Sequence, residues 1–272
     1  MVFRSTPADD FNLKATLTSG QVFGFAEEAD CFSGHLAGSP IRLKQEGRLL
    51  RFQTNSRADV TKKVRDYFDL DRSLEPVYQI LNAETPLQKA LQVFRGLRLI
   101  KQDSWEALAC FIISSNNNVK RIQGIWRNLT SRLGQANSFP KASDIARTHE
   151  RILREMGLGY RAPYLLKTAQ FIATNPNSLA FIREATYEEA KEILLRFPGI
   201  GEKVADCVLL YGFQKLEAFP VDVWILRIMR KLYFKNRSVS EKRILQFGQK
   251  RWKEHAGYVQ QYLFHSVRMG IL

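Results

Sequence analysis

The segment FPGIGEKVAD, residues 197–206, places a lysine where a tight turn gives way to an apolar helix. Lys203 is followed by Val204, Ala205, Val208 and Leu209, which read as a buried face. A lysine beside such a face either snorkels to solvent or sits in a low-dielectric site. There its pKa falls and the neutral amine becomes a nucleophile. Cys207 stands four residues on, on the same helical face as Lys203. Downstream, in FPVDVWILRIMRKL, Asp222 precedes an apolar helix that carries Arg227, Arg230 and Lys231 toward its end. An aspartate there caps the helix and complements its dipole. A capping carboxylate is also ionised and fixed, which suits it to stabilise a cation.

The turn before Lys203 has chemistry of its own. Pro198 ends one helix, and Gly199 and Gly201 can take positive φ and admit a close backbone approach. The next helix is expected to start near Glu202 with free N–H groups pointing outward, a place for a phosphate. Such a contact reads no base, which suits a protein that scans DNA.

These residues need a scaffold. Up to about residue 80 the chain reads as strands and turns, with a hairpin expected in IRLKQEGRLLRFQ around Glu46 and Gly47. RADVTKKVRDYFDLD then reads as a helix ending at an acidic turn. From about residue 85 helical periodicity takes over. TPLQKALQVF is expected to begin with Thr85 as cap and Pro86 at the first helical position, and DSWEALACFIISS with Asp103 or Ser104 as cap. Further helical segments follow, separated by Gly- and Pro-bearing turns. The fold class is α+β: a β-rich N-terminal domain over 1–84, then a helical domain over 85–272 with a helix–turn–helix at about 190–212.

The 272 residues can bury a core, and the apolar share of 45% is that of a globular chain. The net charge of +14 points to polyanions, above all nucleic acid, or to a merely basic surface. Its cations are spread along the chain and are expected to form a face. No apolar run approaches the ~18 residues of a membrane span, and MVFRSTPADDF has no apolar signal region. A soluble, cytoplasmic protein is expected. Cys31, Cys110 and Cys207 are too few and too scattered for a structural zinc or an iron–sulfur cluster, and His35, His149, His255 and His265 lack ligand spacing.

Taken together, FPGIGEKVADCVLLYGFQKLEAFPVDVWILRI resembles the signature of the helix-hairpin-helix DNA glycosylase superfamily. In that superfamily the hairpin leads into a helix opening with the catalytic lysine, and a loop then carries Pro-Val-Asp. Lys203 and Asp222 match. FIISSNNNVKRI, MGLGYRAPYL, LTSGQVFGF and AGYVQQYLF are similar to segments of the 8-oxoguanine DNA glycosylase branch related to the eukaryotic enzyme. The resemblance spans nearly the whole chain. It implies an N-terminal antiparallel sheet like half of the TATA-binding protein, fused to a helical glycosylase core.

The resemblance also assigns roles. The carbonyl of Gly20, beside Gln21, would accept the N7 hydrogen that 8-oxoguanine has and guanine lacks. Cys207 and Phe264 would sandwich the base, and Gln260 would read its Watson–Crick edge. Asn116 and Tyr160 would fill the gap left by the flipped nucleotide. Arg121 and Arg161, with Asn116, would bind the widowed cytosine through a planar fork. Without the resemblance, Gly20 is an ordinary turn glycine, Cys207 and Phe264 are core residues, and each arginine is a phosphate contact or a solvated side chain. Trp224 stands where eukaryotic members carry a histidine expected to contact the 5′ phosphate, so this chain departs from the family pattern there.

The implied partner is double-stranded DNA containing oxidised guanine, bound by a monomer that associates with the nucleoid and with no membrane. No metal or organic cofactor is implied; hairpin carbonyls in this superfamily often hold a structural monovalent cation. Alkyladenine glycosylases of the same superfamily keep the aspartate and lack the lysine, and endonuclease III relatives carry four clustered cysteines. A non-catalytic DNA-binding protein would explain the charge and the turn, but not Lys203 together with Asp222.

Overall fold

Alternation of apolar and polar residues builds the N-terminal sheet. Ile41 and Leu43 on one strand and Leu50 and Phe52 on the next point inward, and Leu43 pairs directly with Phe52. The structure, a computed structural model, describes residues 2–36, 38–56, 58–135 and 138–272. The strands are β1 (Val2–Pro7), β2 (Ala26–Glu28), β3 (Cys31–Leu36), β4 (Ser39–Glu46) and β5 (Leu49–Thr54). They form one sheet in the order β1-β5-β4-β3-β2, with every neighbouring pair antiparallel. The expected hairpin joins β4 to β5. Its turn is Gly47-Arg48, one residue later than expected, with Gly47 at φ +58.

Helices α1 (Leu13–Thr18) and α2 (Thr61–Tyr67) contribute Leu13, Leu17 and Val64 to the sheet core, which also contains Phe68. Asn12 caps α1 by accepting from the Ala15 N–H at 2.9 Å, and the Gln45 amide bonds the backbone of Phe11 and Leu13. The sheet thereby fixes the helix that leads to Gly20.

The remaining helices are α3 (Glu75–Ala83), α4 (Thr85–Phe94), α5 (Ser104–Ser114), α6 (Val119–Leu133), α7 (Ala142–Ala146), α8 (Glu150–Leu153), α9 (Ala162–Thr174), α10 (Ser178–Glu184), α11 (Tyr187–Leu195), α12 (Glu202–Phe213), α13 (Val223–Tyr233), α14 (Glu241–Trp252) and α15 (Ala256–Arg268). Helix α5 is buried from Ser104 to Ile113 except at the half-buried Glu106, and α12 from Val204 to Phe213. Their all-round apolar sequences require this, and the two pack against each other. Only the first turn of α12 reaches the surface, which puts Lys203 at the border between core and solvent. Helix α3 precedes residue 84, yet its Val77, Tyr78 and Leu81 belong to the helical core. Among the described residues no helix is long and apolar enough to cross a membrane.

Two local expectations change. Glu84, not Thr85, is the residue before α4, and Thr85 and Pro86 form its first turn. The Glu84 carboxylate is drawn away from the helix end by the Tyr233 hydroxyl, the Arg251 Nε and the Trp252 Nε1. Gly201 has φ −100 rather than a positive φ, because it is the extended residue that starts α12. Gly199 does take φ +78.

Candidate active site

Two helices each present a stripe with a period of four residues to one small pocket. Lys203, Cys207 and Tyr211 descend α12, and Gln260 and Phe264 descend α15. Gly20, Phe111, Pro220 and Asp222 complete the lining. The sequence-derived base-pocket and catalytic residues therefore converge, except Gln21. Gln21 is buried outside the pocket. Its Nε2 donates to the carbonyls of Thr16 and Arg98 and to the Ser19 hydroxyl, and its Oε1 accepts from the Ile100 N–H at 2.7 Å. It braces the turn that holds Gly20.

Asp222 caps α13, accepting from the Ile225 N–H at 2.8 Å. Burial raises its pKa above the ordinary carboxylate value, and the N–H bonds and the charge of Lys203 oppose the rise. Burial pushes the pKa of the Cys207 thiol up to about 11, and the charge of Lys203 opposes the rise. The thiol is therefore protonated at neutral pH and forms a neutral wall of the pocket.

Gln260 is 3% exposed and donates through Nε2 to the Pro220 carbonyl at 3.1 Å. Its Oε1 is buried without a hydrogen-bond partner among the described residues. A buried orphan acceptor is costly, and this one belongs to a pocket-lining side chain. Gly20 lies at φ +85, and no hydrogen bond from a described residue reaches its carbonyl. An added Cβ there would meet Phe264 at 3.2 Å and the Arg268 Nη1 at 2.6 Å.

The cavity measures only about 50 Å³, room for a few waters and too narrow for a purine. The pocket must therefore widen before a purine can enter. A groove of about 460 Å³ between the sheet and α6 is larger. Its lining includes Phe25, Arg42 and Trp126 but neither Lys203 nor Asp222.

A second cluster gathers around the loop after α5. The three asparagines of SSNNN divide the work there. Asn116 is exposed at φ +46, Asn117 bonds the Ile113 carbonyl, and Asn118 caps α6. Tyr160 is 48% exposed and packs edge-on against Tyr164, whose ring lies beside Gly199. Arg121 is exposed and makes one bond of 3.3 Å to the Gly157 carbonyl. Arg161 departs from expectation. It is 2% exposed, and its guanidinium donates to the Ser115 and Asn116 carbonyls while lying 4.2 Å from the centre of the Tyr160 ring. In this structure it clamps the asparagine loop instead of presenting a free fork. At the hairpin, a Cβ on Gly201 would meet open space, so the start of α12 is accessible to a phosphate.

The N-terminal domain model of 8-oxoguanine DNA glycosylase matches residues 5–108, and that of the HhH-GPD superfamily of base excision DNA repair proteins matches residues 109–254. A probable N-glycosylase/DNA lyase from Methanothermobacter thermautotrophicus is 33% identical across 98% of this chain and 96% of its own. The chain belongs to the 8-oxoguanine DNA glycosylase family. Among solved structures, MBOgg1 bound to a low-affinity DNA ligand has a TM-score of 0.92 and 31% identity, covering 99% of this chain and 100% of its own. The 8-oxoguanine glycosylase/lyase of Clostridium acetobutylicum, solved with double-stranded DNA containing cytosine opposite 8-oxoguanine, has a TM-score of 0.91 and 28% identity. It covers 100% of this chain and 99% of its own.

Several site residues of this glycosylase escaped the sequence reading. Phe111 and Tyr211 stack with ring centres 5.3 Å apart beneath the pocket. The Tyr211 hydroxyl donates to Gln261 Oε1, and Gln261 Nε2 donates to the Ser19 carbonyl at 3.1 Å. That relay ties the catalytic helix to the residue before Gly20. Extending the Lys203–Cys207 spacing by four residues would have found Tyr211. Trp224 is 47% exposed at the start of α13, on the surface beside Asp222.

Proposed function

We propose that this glycosylase excises 8-oxoguanine from duplex DNA in base excision repair and then cuts the strand through a lysine Schiff base. The observation that carries this reading is the shared pocket of Lys203, Asp222 and the unpartnered Gln260 Oε1. A base inside the stack cannot be reached, so the nucleotide is flipped out. Gln260 Oε1 accepts from the Watson–Crick N–H groups of the base, and the Gly20 carbonyl accepts from N7–H. Guanine offers a lone pair at N7 and is rejected. Sites built on such a bond discriminate by about 10⁴–10⁵.

As the glycosidic bond breaks, its electron pair leaves with the base and positive charge develops on the sugar, which the Asp222 carboxylate stabilises. The Lys203 amine, which attacks through its lone pair, bonds to C1′; a proton passes from nitrogen to O4′, the C1′–O4′ bond breaks, and a protonated imine remains. The imine acidifies the C2′ proton; its loss expels the 3′ phosphate and cleaves the strand. All these steps use side chains of the protein. A monovalent cation on hairpin carbonyls would add to phosphate binding, and no chemical step depends on it. The enzyme acts as a monomer on cytoplasmic, nucleoid DNA.

Opposite the lesion, Arg121 is the guanidinium with free donors, so it reads the widowed cytosine. Cytosine offers O2 and N3 as adjacent acceptors, whereas adenine sets an amino donor beside N1. A bidentate contact discriminates by roughly 1–3 kcal/mol. Single-turnover excision is therefore expected to be about ten-fold faster opposite cytosine than opposite adenine. Arg121→Ala should shrink that ratio by slowing the cytosine pair. An unchanged ratio contradicts the readout. An equal loss on both duplexes, with a salt slope smaller by about one, makes Arg121 a phosphate contact.

A further inference from the structure

Arg268 continues the Gln260–Phe264 stripe by one more turn of α15. Its Nη1 lies where a Cβ on Gly20 would be 2.6 Å away, and its guanidinium is 5.4 Å from the centre of the Phe264 ring. The only hydrogen bond this side chain makes to a described residue is a long one, 3.5 Å, to the Thr18 carbonyl. A guanidinium has five donors, so most of them are unfilled. Desolvation pulls its pKa down, and the carboxylate of Asp222 opposes that pull. A cation at a helix C-terminus satisfies the dipole. That role asks only for a solvated side chain, and Arg268 is instead packed against the Gly20 and Phe264 walls of the pocket.

We propose that Arg268 is a specificity residue that donates to the C8 oxygen of the flipped base. In 8-oxoguanine the donor at N7 is flanked by O6 and O8. With N7–H on the Gly20 carbonyl and the Watson–Crick N–H groups on Gln260 Oε1, O6 and O8 are the acceptors open to a donor beside Gly20, and of the two only O8 marks the lesion. Guanine has no oxygen there. The lesion would thus be recognised by both features that distinguish it: the hydrogen on N7 by Gly20, and the oxygen on C8 by Arg268. This inference rests on the assignment of the pocket to 8-oxoguanine.

The test measures binding of Lys203→Gln protein, with and without Arg268→Met, to duplexes carrying 8-oxoguanine or guanine opposite cytosine. A charged hydrogen bond lost from a desolvated site should lower affinity for the 8-oxoguanine duplex by about ten-fold or more. Affinity for the guanine duplex should stay within about two-fold of the parent, the scatter expected of an uninvolved site. A preserved preference for 8-oxoguanine overturns the role of Arg268. So does an equal loss on both duplexes with a shallower salt dependence, which marks a phosphate contact. If the Lys203→Gln parent itself does not prefer 8-oxoguanine, the pocket assignment fails instead. Should Arg268→Met melt too low to assay, Arg268→Leu, which also lacks a donor, takes its place with the same outcomes.

Discussion

Burial raises the pKa of Asp222 while a helix cap and a nearby lysine hold the carboxylate in place. The site therefore carries an ionised group at a cost to stability. The folded protein binds the Asp222 proton more readily than the unfolded chain does. The cost is absent below the ordinary aspartate pKa of about 4 and grows as pH rises through the folded value. Asp222→Asn keeps a capping oxygen and removes the charge. At pH 7 it is expected to melt no lower than wild type, and to lose base excision by about 100-fold or more, in line with lost electrostatic stabilisation. A drop in melting temperature large enough to account for the lost activity would make Asp222 a structural cap alone. Lys203, Cys207 and Asp222 were legible because a helical spacing and a capping position are local. The burial of Arg161 was not, because the carbonyls that occupy it lie 46 and 45 residues away.

Between elements, the catalytic helix is held by a buried ion pair. Lys191 on α11 reaches Asp206 on α12 at 3.0 Å, and Tyr187 donates to the same carboxylate at 2.6 Å. Lys191 also meets Glu202 at 2.7 Å, so one ammonium binds the first two turns of α12 to the helix before the hairpin. Burial raises the pKa of Asp206 and Lys191 opposes that rise. Lys191→Met leaves the carboxylate buried without its cation. Urea unfolding at pH 7 should show a loss of about 3 kcal/mol, the cost of breaking a buried pair. The loss should shrink as pH falls through the raised folded pKa of Asp206 and be gone below about pH 4, where the unfolded aspartate is protonated too. A loss under about 1 kcal/mol would place the pair among weak surface bridges. The sequence made α11, the turn and α12 readable from periodicity and Pro-Gly punctuation. It did not make their clamp readable, since Lys191 and Asp206 each look like solvated charges until the two helices fold together.

On the scale of the whole molecule, a sheet core and a helical core are joined through the Gly20 turn, with Ala15 and Phe23 in the helical core and Ile100 in the sheet core. The change from strand to helical periodicity was legible, while this interleaving depends on tertiary contacts that no local pattern encodes. His265 sits inside the helical core, 4.3 Å from Phe94 between ring centres, and burial pulls its pKa down to about 4. Between about pH 6.5 and 4 the unfolded chain takes up this proton and the folded one does not, so stability falls as pH falls. His265→Phe should lose less stability than wild type between pH 7 and 4.5 in parallel denaturation series. Equal losses would place the titration elsewhere. All these scales meet in the covalent complex of protein and DNA. Borohydride reduction on a duplex with one 8-oxoguanine opposite cytosine should cross-link wild type, and Lys203→Gln should bind the same duplex without cross-linking. A Lys203→Gln variant that cross-links as well as wild type would show that another amine is the nucleophile and contradict the account.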